Sequence, residues 1–79
     1  MNPRNELDRY ITISPNIQGG MPVFKSTRVP VKNLFDYLKG GDNLEEFLDS
    51  FPSVNKEAAL KVLELAEYYI EHSGNEAAA

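Results

Sequence analysis

Residues 19–31 read Gly19-Gly20-Met21-Pro22-Val23-Phe24-Lys25-Ser26-Thr27-Arg28-Val29-Pro30-Val31, with a glycine pair and two prolines between short apolar steps. Glycine adopts positive φ without a steric clash, whereas proline holds φ near about −65° and favours extended geometry in the residue before it. These restraints predict an ordered segment instead of a linker. We interpret Val23-Phe24 and Arg28-Val29 as two short strands around a turn, with Pro30 at the first turn of a helix.

Upstream of this segment, the sequence predicts one more strand. Tyr10-Ile11-Thr12-Ile13 alternates in the manner of a strand and stops at Ser14-Pro15-Asn16. Residues 1–9 are polar, and we expect them to form a flexible N-terminus.

Downstream, the apolar spacing takes the period of a helix. A first helix is predicted over Val31–Lys39 and ends at Gly40-Gly41. A second helix follows Asn43, which begins a capping box, and it ends before Pro52.

The third predicted helix starts after Asn55, reaches about His72 and leaves residues 73–79 as a flexible C-terminal tail. Its apolar side chains cover an arc of about 160°, which is wider than one packing stripe. The helix is therefore either central to its own core or shared with a partner or a second copy of the chain. The candidate interface residues are Leu60, Val62, Leu65, Tyr68 and Tyr69.

The predicted fold class is mainly α. Two or three short N-terminal strands, arranged as a β-hairpin, are followed by a trihelical helix-turn-helix bundle in one domain over residues 10–72. A chain of 79 residues with 42% apolar residues can form one compact core of modest stability.

The composition excludes several kinds of chemistry. The chain has no cysteine, which removes disulfides, thiolate nucleophiles and the usual structural zinc sites, and it suits a reducing cytoplasm. No run approaches the ~20 apolar residues that span a bilayer, so we expect no membrane partner. His72 is the only histidine. We therefore expect no metal, no cofactor and no enzymatic activity.

Charge is unevenly distributed along the chain. Residues 1–41 carry six Lys or Arg against three Asp or Glu, and residues 42–79 carry two against nine, so the halves have net charges of +3 and −7. Such a division permits one local anion contact and a separate surface for a basic partner, although ordinary solvated charge explains it equally well. The candidate nucleic-acid contacts are Lys25, Arg28, Lys32, Lys56 and Lys61.

Several of these motifs together resemble the domain-of-unknown-function family 433. The similarity covers about residues 10–70, and its specific part is a Gly-Gly-x-Pro-Val step followed by Thr-Arg-x-Pro-Val. In this chain the corresponding structural residues are Gly19, Gly20, Pro22, Thr27 and Pro30. Ser26 stands where the family often has glycine, which argues against a turn with positive φ at that position.

The resemblance implies a homeodomain-like helix-turn-helix and an antitoxin whose partner is a PIN-like ribonuclease toxin. Our leading hypothesis adds that the chain forms a homodimer through the wide apolar face of the third helix, and that this helix-turn-helix dimer binds its own operator DNA. The residues alone leave an alternative open, a homodimeric interaction or scaffold domain without nucleic-acid binding, which the acidic third helix favours.

Overall fold

The computed structural model describes residues 3–78, with side chains from Glu6 to His72. Its helices and strands follow one another in the order α1 (Pro3–Tyr10), β1 (Ile11–Thr12), β2 (Val23–Phe24), α2 (Val31–Lys39), α3 (Leu44–Ser50) and α4 (Lys56–Ala78). A single 3₁₀ turn, Gln18–Gly20, precedes β2. The mainly helical class with a short N-terminal sheet is confirmed.

The sheet has two antiparallel strands in the described part of the chain. Ile11 lies opposite Phe24, and Thr12 lies opposite Val23. The predicted third strand at Arg28-Val29 is reduced to one bridge between Val23 and Pro30. Because proline has no N–H to donate, pairing stops there and the chain turns directly into α2.

The N-terminal segment differs from the flexible chain expected over residues 1–9. Residues from Pro3 onward form α1, which packs against α4. Leu7 is its one aliphatic side chain with a described position, so the sequence offers almost no apolar periodicity to identify a helix. A helix of eight residues is unstable by itself in water, and its contact with α4 therefore stabilises it.

The core lies between β2 and the three helices that follow it. Phe24, Leu34, Phe47 and Ala59 are at most 1% exposed. The Phe47 ring is the centre of an aromatic cluster, with centroid distances of 6.0 Å to Phe24, 5.6 Å to Tyr37 and 5.2 Å to Phe51. Burial of these rings joins α3 to the sheet and to α2.

The predicted helix ends are largely confirmed. Asn43 and Glu46 form a reciprocal capping box, with both hydrogen bonds at 2.9 Å. The Asn55 side chain accepts a hydrogen bond from the Ala58 N–H at 2.7 Å. The helix after it continues past Gly74 to Ala78, because one interior glycine costs only about 1 kcal/mol and does not by itself end a helix.

None of the helices within residues 3–78 combines the length and apolar content needed to cross a bilayer.

Candidate protein-binding groove

The turn that the sequence singles out is held by its own hydrogen bonds. The Thr27 N–H donates to the Phe24 carbonyl at 3.0 Å. The Thr27 hydroxyl donates to the same carbonyl at 2.8 Å and accepts from the Val29 N–H at 3.0 Å. Ser26 has φ of 65°, which is the positive value that a type II turn needs at its third residue. Ser26 therefore adopts the positive φ that a serine at this position was not expected to take, and that expectation was wrong.

The glycine pair and the prolines also determine the conformation of the backbone. Gly19 and Gly20 have φ of 64° and 91°, and a Cβ at either position would meet no atom within 4 Å. Positive φ, not lack of space, therefore favours glycine there. The Pro22 carbonyl accepts from the Val31 N–H at 3.0 Å, and Pro30 is the N-cap residue of α2.

The cationic candidates are scattered, and most have a partner inside the chain. The paired ones are Lys25 with the Asp8 carbonyl (3.0 Å), Lys32 with the Asp36 carboxylate, Lys56 with Glu45 (2.9 Å) and Lys61 with Glu64 (3.8 Å). Arg28 is exposed and forms no ion pair with any side chain between Glu6 and His72.

Two shallow depressions lie beside the turn. Arg28 lines one together with Thr12 and Ser53. Lys25 lines the other together with Arg9 and Asn55. Sequence reasoning missed Arg9 because it assigned residues 1–9 to a flexible segment, whereas α1 holds Arg9 near Lys25. Lys32, Lys56 and Lys61 line neither depression.

An apolar groove of about 460 Å³ opens between α1, β1, α2 and α4. Val62 and Leu65 are among its deepest side chains and are 4% and 9% exposed. Met21 and Tyr69, at 40% and 42%, stand at its open side. Its other apolar lining residues are Leu7, Ile11, Pro22, Val31, Phe35 and Ala66.

The groove continues into a second depression. Both are lined by Leu7, Ile11, Pro22 and Tyr69, and the second adds Asp8 and Ile13, of which Ile13 is 69% exposed. The apolar surface therefore extends from the groove across α1 and past the end of β1.

The predicted interface residues on α4 divide into two groups. Val62 packs in the core cluster and Leu65 is nearly buried, so neither stands on an outer face. They continue the line of Ala59, which the chain's own core covers. Leu60, Tyr68 and Tyr69 are 38–42% exposed, and only Tyr69 lines the groove.

Charges occupy one edge of the groove, on α2. Lys32 and Lys39 both contact the Asp36 carboxylate, Lys39 at 3.8 Å. The hydrogen bond from Lys32 lowers the pKa of Asp36, and the charges of both lysines act in the same direction. This edge is therefore an internally paired cluster with a net charge of +1.

The C-terminal part of α4 beyond the groove is open to solvent. Ile70 is 73% exposed, although it belongs to the apolar arc of the helix. The Tyr68 ring stacks on His72 with centroids 3.8 Å apart, and it meets Tyr69 edge-on at 6.1 Å. Glu67 and Glu71 are both exposed.

The family model described as "Protein of unknown function (DUF433)" matches residues 11–69. The chain belongs to the DUF433 family. A DUF433 member from Anabaena variabilis has a crystal structure similar to this fold, with a TM-score of 0.68, 28% sequence identity and coverage of 96% of this chain and 75% of that one. The antiparallel sheet, the turn and the helices of this DUF433 chain therefore belong to a fold that has been solved by crystallography.

A second relative is a longer protein. The uncharacterized protein y4eO of Sinorhizobium fredii (strain NBRC 101917 / NGR234) is 38% identical over 61 residues. The match covers 77% of this DUF433 chain but only 26% of y4eO, so the chain spans about a quarter of that relative's length.

Proposed function

We propose that this DUF433 chain is a polypeptide-binding module of the antitoxin type, which holds an apolar segment of a partner protein in the groove between α1, α2 and α4. The observation that carries the proposal is the groove itself, about 460 Å³ in volume and lined almost wholly by apolar side chains. Burial of such a surface is the main source of free energy in most protein association.

The lining of the groove favours a polypeptide over a small molecule. Sites for small molecules combine an apolar pocket with a few polar groups that orient the ligand. Here the polar lining groups are Lys32, Asp36 and Lys39, and these three side chains pair with one another at the edge. A helix that inserts a row of apolar side chains spaced three and four residues apart needs no such orienting group.

The expected partner is the PIN-like ribonuclease toxin that the family resemblance implies. The match to y4eO supports a modular role, because a similar unit occupies about a quarter of that longer protein. Binding by occlusion would neutralise the toxin without any catalytic group on this chain.

Co-expression with the product of the adjacent gene tests the proposal. We expect a complex that survives purification and a relief of growth arrest. Tyr69→Asp introduces a charge at the open side of the groove and should abolish both. Leu60→Asp is the matched control, because Leu60 has the same exposed fraction of 42% but does not line the groove. No complex with the native chain, or equal effects of the two variants, would refute the proposal.

Operator binding is a second candidate function, and the position of Arg9, Lys25 and Arg28 around the turn favours it. These cations would contact phosphates, whereas the acidic polar face of α4 would repel them. In a gel-shift series with the DNA upstream of the gene, Arg28→Glu should weaken binding and Lys61→Glu should not. Retardation that appears only at low salt and without sequence preference would count against operator binding.

A further inference from the structure

We infer that the outer α4 face, defined as Glu67, Tyr68, Ile70 and Glu71, docks a basic amphipathic segment of the partner protein and does not pair with a second copy of this chain. The inference rests on the proposed function and adds a second contact with a stated chemistry. It adjoins the groove at Ala66, which lines the groove and lies one helical turn before Ile70.

The apolar surface is continuous from the groove to this face. Ala59, Val62 and Leu65 are buried, and the same side of the helix then reaches Tyr69, at 42% exposed. Ile70 lies four residues after Ala66, which lines the groove, and therefore projects from the same side of the helix. It is 73% exposed, the largest fraction among the exposed large apolar side chains of the described chain. A partner segment that fills the groove and continues along α4 would cover it.

The charges of the outer α4 face are all negative. Residues 66–72 contain Glu67 and Glu71 and no Lys or Arg. Neither glutamate forms an ion pair with a side chain between Glu6 and His72. Their spacing of four residues places the two carboxylates on one side of the helix, where like charges destabilise it. Lysine or arginine from a partner would remove this repulsion.

The aromatic rings favour the same kind of partner. Tyr68 is 38% exposed and stacks on His72. An arginine or lysine that approaches the carboxylates can also lie against the face of an exposed tyrosine ring. Tyrosine and arginine are both enriched at protein interfaces.

A second copy of the chain is the wrong occupant on electrostatic grounds. A twofold interface brings the same patch of both copies together. Self-pairing through the outer α4 face would therefore place four carboxylates in one interface, with no lysine or arginine from residues 66–72 of either copy. Like charges across an interface oppose association.

Two synthetic amphipathic helical peptides test the inference. They share the same leucines and differ only in their flanking residues, lysine and arginine in one and glutamate in the other. We expect the full chain to bind the basic peptide about tenfold more tightly at low salt, and the difference to shrink at high salt. Equal affinity for the two peptides, or no binding of either, would overturn the inference.

Paired variants locate the contact. Glu67→Gln with Glu71→Gln should lower the affinity for the basic peptide about fivefold and remove most of its salt dependence. Asp42→Asn with Asp49→Asn removes two exposed carboxylates outside this face and should change neither. Ile70→Gln should also weaken binding. A dimer in sedimentation equilibrium that Ile70→Gln dissociates would show that a second copy is the occupant.

The same variants separate this inference from the proposed function. If Tyr69→Asp abolishes the complex with the adjacent gene product and the double glutamine variant does not, the groove is functional and the docking inference is wrong. If the native chain forms no such complex yet binds the basic peptide as described, the outer α4 face retains its assigned chemistry and the antitoxin proposal fails.

Discussion

Residues 22–31 and residues 67–72 differ in how many of their polar, charged and apolar groups find a partner within the chain. In residues 22–31 the carbonyls of Pro22, Phe24 and Val29 all accept internal hydrogen bonds, and the Thr27 hydroxyl both donates and accepts. In the outer half of α4, Ile70 faces solvent and two glutamates lack an ion pair within the described side chains.

The comparison shows that an unusual sequence can be explained by the conformation that its backbone needs, even where side chains such as Met21 and Pro22 also line a binding surface. Glycines, prolines and a Thr-Arg step make residues 19–31 the most distinctive part of the chain, yet they build a turn and lead into α2. The outer half of α4 has an ordinary helical sequence, and its exposed apolar and acidic groups are available to a partner.

The largest expected difference in the free energy of unfolding is between Phe24→Ala and Tyr69→Ala. Phe24 is 1% exposed and lies against Phe47, so truncation should lower the free energy of unfolding by about 3–5 kcal/mol. Tyr69 is 42% exposed, and its truncation should cost less than about 1 kcal/mol. Urea unfolding followed by circular dichroism measures both.

The total stability of a domain of this size is about 4–12 kcal/mol, so Phe24→Ala could leave part of the chain unfolded. Phe24→Leu keeps most of the apolar volume and gives a smaller, measurable loss of about 1–2 kcal/mol. A loss for Tyr69→Ala equal to that for Phe24→Ala would mean that the second half of α4 is packed as tightly as the sheet.

The second prediction concerns the Thr27 hydroxyl. Thr27→Val keeps the shape of the side chain but removes the donor to Phe24 and the acceptor for the Val29 N–H. Leaving a part-buried N–H without a partner should lower the free energy of unfolding by about 1–3 kcal/mol. Thr27→Ser retains the hydroxyl and should cost less in the same denaturation experiment. Equal losses for the two variants would assign the effect to packing.

The three helices after the turn, α2, α3 and α4, were predictable because each has local signals. The Val31–Lys39 helix has apolar residues three and four positions apart, and it is bounded by Pro30 and by Gly41, whose φ of 98° ends it. The caps at Asn43 and Asn55 are side-chain contacts over three residues, and such contacts can be recognised in a sequence.

The site was less predictable because it depends on contacts between distant segments. The apolar arc of α4 correctly marked a helix with more than one neighbour, but it could not show that α1 would cover part of it. Val62 and Leu65 therefore looked like interface residues and lie instead in the core and the groove. Met21 and Ile13 carried no sequence signal, because their proximity to Tyr69 arises only from the fold.

The third prediction is a gain of stability at Ser26. A residue with a Cβ in the left-handed region costs about 1–2 kcal/mol, and Ser26 has φ of 65°. Ser26→Gly removes this strain but increases the entropy of the unfolded chain, so we expect a net gain of about 0.5–1 kcal/mol. Gly20→Ala is the converse control, because it introduces a Cβ at φ of 91° and should destabilise the chain. A loss on Ser26→Gly would show that the serine side chain contributes more than its backbone strain.

The smallest expected effect is the pH dependence of the Asp36 cluster at the edge of the groove. The hydrogen bond from Lys32, together with the charges of Lys32 and Lys39, lowers the pKa of Asp36 in the folded chain. A carboxyl group with a lower pKa in the folded state stabilises that state when it is ionised. This contribution is present above the unfolded pKa of about 3.9 and disappears as the pH falls through the folded value. Because the cluster is exposed, the effect should be small and should weaken further at high salt.

Asp36→Asn isolates this contribution. The difference in free energy of unfolding between the native chain and Asp36→Asn should be constant near neutral pH and should shrink in acid, below a pH of about 4. Asp49→Asn is the control, because Asp49 is exposed on α3 and forms no ion pair with a side chain between Glu6 and His72. The difference in free energy of unfolding between the native chain and Asp49→Asn should not shrink in acid in this way. If the Asp36 difference instead grew in acid, the lysines would not stabilise the carboxylate. The edge of the groove would then contribute no folding energy, and its charges would be as free to meet a partner as those of the outer α4 face.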